Sequence, residues 1–512
     1  MKKEKSYIIQ SFAILVMASG FFLFFKGNLP SKIFSEAAPK TGNVVIDSLL
    51  LEAFEQAKES SKKGLVDEAL EEKENSSKDT LTSAIGDGNI TLIEEGDLLS
   101  LESEDNFKGM LYLEPFFERL YELEHNKGKR VRIAYYGDSM TDGDLIVQDL
   151  RKTYQDTYGG AGVGYIPINV ESAKSRGSIV HRYSANWKVQ SFLNVKRPMR
   201  PFGVSGQVFF IKDTVKDTWI SLQAGNIRNM TSLNSPTLYY GASNNKKGKV
   251  KVIIDRDTVV KDLAINGELN SLKLSNRSLR QIKLMFQSAD SIPIYGIDVS
   301  AYNGVQVDNF SSRGNSGLPL SLFRVSLMQK FQRSLDYNLI ILHYGTNVLN
   351  YGSLDYRWYT KQMGVVVNHL KQCFPNAAIL VISTADKSSK KDMKMQTDPA
   401  VVPLVKAQRK YAMENHAGFL NLYEAMGGDG SMVKWVEESP NRANKDYTHF
   451  NHRGAQDIAK LIYQQLDEGY KEYRTKRHKK EGIKEESSVD SLQQKEKEEN
   501  TTVVDTVENG KK

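Results

Sequence analysis

The chain has 512 residues, 40% of them hydrophobic and 26% charged, with a formal net charge of +7. That length exceeds one ordinary core and implies about two to four units with linkers. Basic residues are dispersed among acidic ones, which gives no nucleic-acid footprint, and Cys373 is the only cysteine, which excludes an intrachain disulfide.

Lys2, Lys3 and Lys5 precede an apolar run from Tyr7 to Phe25, interrupted only by Gln10, Ser11, Ser19 and Gly20. A helix rising ~1.5 Å per residue crosses the hydrocarbon core in about 20 residues. Residues 1–26 therefore read as a membrane anchor whose basic end stays in the cytoplasm. A cleaved signal peptide is the alternative, with Ala18-Ser19-Gly20 as the cleavage site. The continuation through Phe21, Phe22, Phe24 and Phe25 favours the anchor over cleavage, and the position behind lysines disfavours a buried core helix. Either export reading places the remainder outside the cytoplasm.

Residues 27–105 are polar, mix Ser, Lys and Glu, and read as a spacer with a helix near Ile46 to Ala57. Order is expected from about Leu111. Leu113, Phe116, Phe117, Leu120 and Leu123 recur at helical spacing, with Pro115 in the first turn. Val131 to Tyr136 reads as a buried strand running into Gly137-Asp138-Ser139, followed by an amphipathic helix from Asp144 to Tyr158. From 176 to 299 the texture changes to short alternating runs: Gly206 to Ile211, Thr218 to Leu222, Lys249 to Ile254 and Leu279 to Phe286. Turn-rich breaks separate them, which predicts an inserted β-sandwich.

Alternation of strand and helix then resumes. Leu318 to Ser334 is expected to be helical, Leu339 to Tyr344 a strand ending in Gly345-Thr346-Asn347, and Tyr356 to Cys373 a helix. Ala378 to Ser383 and Gly418 to Leu422 read as strands, and Pro403 to Asn415 and Arg453 to Tyr470 as helices. The pattern predicts an α/β fold with a parallel sheet covered on both faces. Residues 106–175 form its first part and 300–472 its second, and 473–512 read as a charged, disordered tail.

Serine is a poor nucleophile without a base beside it. Ser139 ends a buried strand, where open α/β sheets place their sites. Asp446-Tyr447-Thr448-His449 sets a carboxylate three residues before a histidine, in a loop before the last helix. Asn347 also ends a strand, so its amide can donate to an oxyanion. No zinc-type His/Cys spacing is present, and no cofactor is implied. His343, inside a strand, reads as a core or supporting histidine, Tyr135 and Tyr136 as core, and Cys373 as structural. Trp187, Tyr239 and Tyr240 have two readings, sugar-stacking platforms or sandwich core.

These residues resemble the SGNH (GDSL-like) hydrolases. The family's blocks appear in order as Gly137-Asp138-Ser139, a glycine at Gly314 within 309–317, Gly345-Thr346-Asn347, and Asp446 to His449 followed by Phe450 and Gly454. Met140 stands where the GDSL spelling has leucine, and Val348 replaces the acidic residue often found after the third-block Asn. A narrower resemblance, over roughly 107–470, is to the peptidoglycan O-acetylesterases of Gram-negative bacteria. It rests on the run from Tyr136 to Asp144, on Tyr158 to Pro167, and on a carbohydrate-binding-like sandwich inserted after the first block.

The resemblance implies a catalytic set of Ser139, Asp446 and His449. It implies an oxyanion hole of the Ser139 and Gly314 N–H groups and the Asn347 amide. It further implies hydrolysis of the acetyl ester on the muramic-acid C6 oxygen, with acetylated polysaccharide or peptidoglycan as partner, in the periplasm. An O-acetyltransferase using the same triad and a non-catalytic glycan-binding scaffold are the competing readings. The first shares the covalent intermediate, and the second is disfavoured by the intact residue set.

Overall fold

The computed structural model describes residues 47–52, 55, 103–212, 217–349 and 354–508, with side chains to 479 and at 482. The apolar segment 1–26 and most of the spacer lie outside the described residues. Among the described residues no helix is long and apolar enough to cross a membrane.

Five strands build the central sheet: β1 (Arg130–Gly137), β2 (Gly304–Asn309), β3 (Tyr337–His343), β4 (Ala378–Ile382) and β5 (Gly418–Leu420). They are all parallel and lie in the order β2-β1-β3-β4-β5. A parallel sheet must be covered on both faces, so its strands are apolar almost throughout. Side chains nevertheless alternate between two cores, because successive Cβ atoms point to opposite faces. Ile133, Tyr135, Leu339, Ile341 and Leu380 face α1 (Glu114–His125), α2 (Val147–Tyr158) and α6 (His452–Glu508). Ala134, Tyr136, Ile340, Leu342 and Val381 face α3 (Val325–Leu335), α4 (Arg357–Cys373) and α5 (Val401–Glu414). The strand order reverses between β1 and β3, and the crevice beyond their carboxyl ends is where such sheets bind ligands.

Between α2 and β2 the chain builds antiparallel sheets. One orders Asp257–Asp262, Lys249–Ile254, Gln281–Gln287, Thr218–Ala224 and Ile179–Tyr183. The other orders Leu269–Lys273, Thr237–Gly241, Ile294–Asp298, Gln207–Ile211 and Trp187–Ser191. Ile220, Leu222, Val252 and Leu284 of the first sheet share a core with Phe209, Leu238, Ile294 and Ile297 of the second. The insert is tied to the parallel sheet by one buried cation. Arg132 of β1 reaches Asp308 of β2 (2.8 Å) and Asp298 at the end of the insert (2.9 Å), and its side chain is fully buried.

Two expectations differ from the structure. The stretch from Leu318 is not one helix: a 3-10 turn, Leu318–Leu322, is followed by extended backbone at Phe323 and Arg324 before α3 begins. That break buries Phe323 against Tyr136 and Phe192. The charged stretch from 473, expected to be disordered, continues α6 as far as Glu508. Its Glu, Lys and Gln content carries high intrinsic helix propensity, which charge composition alone does not register. A hairpin, Ser388–Lys391 with Lys394–Thr397, was not expected, because its lysine-rich strands show no apolar alternation.

Candidate active site

The crevice is built from strand ends. β1 delivers the turn Asp138-Ser139-Met140, closed by a bond from the Thr141 N–H to the Asp138 carbonyl (3.4 Å). The Asp138 carboxylate is buried and accepts from the Met140 N–H at 2.9 Å. Burial pushes that carboxyl up to about 6, against the pull of the Met140 bond and the charge of His449. Gly137 permits the turn by close approach: a Cβ there would lie 2.2 Å from Thr141 Oγ1.

Ser139 meets the loop before α6. Ser139 Oγ lies 2.9 Å from His449 Nε2, and His449 Nδ1 lies 2.8 Å from Asp446 Oδ2. Since Asp446 Oδ2 can only accept, Nδ1 carries the proton and Nε2 faces the serine as acceptor. The second carboxylate oxygen, Asp446 Oδ1, accepts from the Thr448 and His449 N–H groups, each at 3.0 Å. Partial burial pushes the Asp446 carboxyl up, but the bonds from His449 and Thr448 outweigh it and bring the group down to about 2. His449 and Asp446 are part-exposed, with side chains 37% and 50% accessible, so solvent reaches the pair.

The loop after β2 supplies the facing wall. Gly314 adopts the left-handed region (φ 78°), and neither its N–H nor that of Ser139 donates to another group among the described residues. Asn347, at the end of β3, donates one amide hydrogen to the Asn315 carbonyl at 3.0 Å. Asn315 is buried and donates in turn to the Tyr344 hydroxyl at 3.4 Å. The structure therefore joins Ser139, His449 and Asp446 in one hydrogen-bonded relay and links Asn347 to the loop that carries Gly314. A serine hydroxyl bonded to a histidine that a carboxylate orients is an arrangement suited to nucleophilic attack.

No family model matches the chain, and no curated protein matches it. A solved structure of a peptidoglycan O-acetylesterase superposes with a TM-score of 0.58 at 21% identity, covering 72% of this chain and 98% of that one. The likeness covers the fold: a parallel five-stranded α/β sheet interrupted by an inserted β domain. An acetyl xylan esterase aligns at TM-score 0.25 and 19% identity over 31% of this chain and 80% of its own. A family two carbohydrate esterase from Cellvibrio japonicus aligns at 0.23 and 10% over 57% and 98%. Those two likenesses carry no argument.

A cavity of about 140 Å³ lies between Asp142, Ser311 and Arg313, on the loops that follow β1 and β2, and Ser191, Leu193 and Gln207 of the insert; Ser139, His449 and Asn347 do not line it. Trp187, Tyr239 and Tyr240 belong to the core and offer no sugar platform: all three are buried, with their polar atoms bonded to Trp219 O, Ser334 Oγ and Ala264 O. His343 bonds the Tyr135 hydroxyl at 2.7 Å below the site, and Tyr136 donates to the Val204 carbonyl. Cys373, the last residue of α4, is buried, and burial pushes its thiol up to about 12. The Asn315–Asn347 bond (3.0 Å) and the Thr141–Ser311 hydroxyl pair (2.7 Å) support the site without a sequence signal for the pairing, since each contact joins separate loops.

Proposed function

We propose that the chain is a serine esterase that removes O-acetyl groups from a cell-wall glycan, with the C6 acetyl ester of peptidoglycan muramic acid as the favoured substrate. The unbroken relay Ser139–His449–Asp446 carries the reading. His449 Nε2 takes the Ser139 proton as Oγ attacks the acetyl carbonyl. Asp446 holds Nδ1–H and stabilises the imidazolium. The carbonyl oxygen gains charge and is met by the Ser139 and Gly314 N–H groups and the Asn347 amide. His449 returns the proton to the departing sugar oxygen, leaving an acetyl-Ser139 ester. A water deprotonated by His449 then releases acetate. No step requires a cofactor.

The glycan reading is supported by the likeness to a peptidoglycan O-acetylesterase. The N-terminal apolar run supports, in this proposal, an inner-membrane anchor with the catalytic part in the periplasm, or export after signal cleavage. The test compares the wild type with Ser139→Ala on a chromogenic acetate ester, then on O-acetylated peptidoglycan and acetylated xylan. Acetate release that prefers peptidoglycan and vanishes in the variant is expected. No turnover by the wild type, or equal turnover by the variant, overturns the proposal. Transfer of acetyl to added sugar in place of acetate release would make the chain a transferase.

A further inference from the structure

The oxyanion loop is held from an unexpected quarter. Asp47, in the stretch read from sequence as a polar spacer, is fully buried. Its Oδ2 accepts from the Ser316 N–H at 3.2 Å and from the Ser316 hydroxyl. Its Oδ1 accepts from the N–H groups of Leu49 (2.9 Å) and Leu50 (3.2 Å), which caps the helical turn 48–52. That turn is anchored independently. Leu50 is buried in the core shared with Tyr136, Tyr344 and Tyr359. Ser48 N–H donates to the Leu193 carbonyl at 3.4 Å, and Glu52 pairs with Lys196, both on the insert.

Ser316 is the next residue but one after Gly314, and Asn315 between them holds the Asn347 amide. Within the loop, Ser316 Oγ accepts from the Leu318 N–H at 3.2 Å, and the Ser316 carbonyl accepts from the Tyr359 hydroxyl at 2.8 Å. Ser316 is itself fully buried, so without Asp47 its N–H and hydroxyl would lose their shared acceptor out of reach of water. A loop that lines an oxyanion hole tolerates little displacement, because donors must meet the developing charge at hydrogen-bond distance.

We infer that Asp47 is a positioning residue for the oxyanion hole: the turn 47–52 clamps Ser316 and so fixes Gly314 and Asn347 against Ser139. The inference rests on the esterase reading for its kinetic consequence, but the clamp itself is a statement about the loop. It also makes the turn 47–52 a working part of the catalytic unit.

The test uses the full chain, with Asp47→Ala, Asp47→Asn and Ser316→Ala. Two quantities are read: steady-state turnover of a chromogenic acetate ester, and hydrogen exchange of the amides in 312–318. Asp47→Ala is expected to lower kcat between about tenfold and a hundredfold with KM within about twofold. Loop exchange should rise at least about tenfold while the amides of β1 and β3 stay protected. Asp47→Asn, which keeps one accepting oxygen, should recover part of kcat, and Ser316→Ala should show the same split in milder form. Unchanged kcat and unchanged loop exchange in Asp47→Ala overturn the inference, as does exchange that rises equally across the sheet. If Asp47→Ala does not fold, unchanged kcat in Ser316→Ala overturns it. A wild type that leaves the ester intact overturns the esterase reading instead, and the exchange comparison still decides the clamp.

Discussion

The Asn347 amide nitrogen lies 3.0 Å from the carbonyl oxygen of Asn315. One of its two hydrogens is thereby committed, and the esterase reading assigns the other to the oxyanion. Asn347→Ala should lower kcat by about 10²- to 10³-fold, the usual loss for one oxyanion donor, with KM little changed. Steady-state kinetics on an acetate ester checks this. A rise in KM at constant kcat would show that Asn347 binds ground state and transition state alike.

Asp446 acts through His449, so its replacement should leave binding intact. Asp446→Asn is expected to lower kcat by about 10⁴-fold, because an amide no longer enforces the tautomer that leaves Nε2 free. The carboxyl is held down at about 2 by the bonds from His449 and Thr448 against partial burial. Its folded value lies below the ordinary 3.8, so the stability it contributes is present above 3.8 and lost only as pH falls through about 2. Loss of wild-type activity on mild acidification therefore belongs to another group. A kcat profile of the wild type that followed Asp446 titration at pH 4 to 5 would contradict the assignment.

What was legible in the sequence was whatever chemistry is local. Ser139 and Asn347 follow apolar strands directly, and Asp446 lies three residues from His449, so short motifs announce them. The sandwich was legible because period-two patterning survives in strands such as Thr218–Ala224 and Gln281–Gln287. Supporting roles were not legible where contacts span the chain. Asp47 and Ser316 are 269 residues apart, and nothing in a polar stretch marks one aspartate as buried. The Trp187 and Tyr239-Tyr240 ambiguity was resolved by burial, a property of the folded sandwich that aromatic content cannot supply.

Arg132 joins the parallel sheet to the insert, and its fork is matched to two carboxylates. Nε and Nη2 reach Asp308 at 2.8 and 3.0 Å, and Nη1 and Nη2 reach Asp298 at 3.1 and 2.9 Å. Arg132→Ala would leave Asp308 buried without its cation, a loss of about 3–5 kcal/mol. Arg132→Lys should recover little, since one ammonium cannot serve both carboxylates in the same plane. Urea unfolding of the three proteins measures this. A loss under about 1 kcal/mol for Arg132→Ala would show that solvent reaches the cluster.

His343 makes the acid side of the stability curve predictable. The ring is buried beneath the site, and burial alone pushes it from 6.5 down to about 4. A histidine lowered in the folded state is neutral there while the unfolded chain is already binding a proton. The unfolded state therefore gains as pH falls from 6.5 toward 4, and stability declines across that window. One such group contributes about 3 kcal/mol to the decline. His181, driven down to about 3 by burial and the charge of Arg176, extends the same slope to lower pH. The Tyr135 hydroxyl is bonded to His343 Nδ1, and the amide of His343→Gln can either accept or donate there, so the variant keeps a partner for Tyr135 while removing the titration. Midpoints of thermal unfolding should fall between pH 6.5 and 4 in the wild type and fall less in His343→Gln. Parallel curves for the two proteins would show that His343 takes up its proton without unfolding, and that the ring is less shielded than its burial indicates.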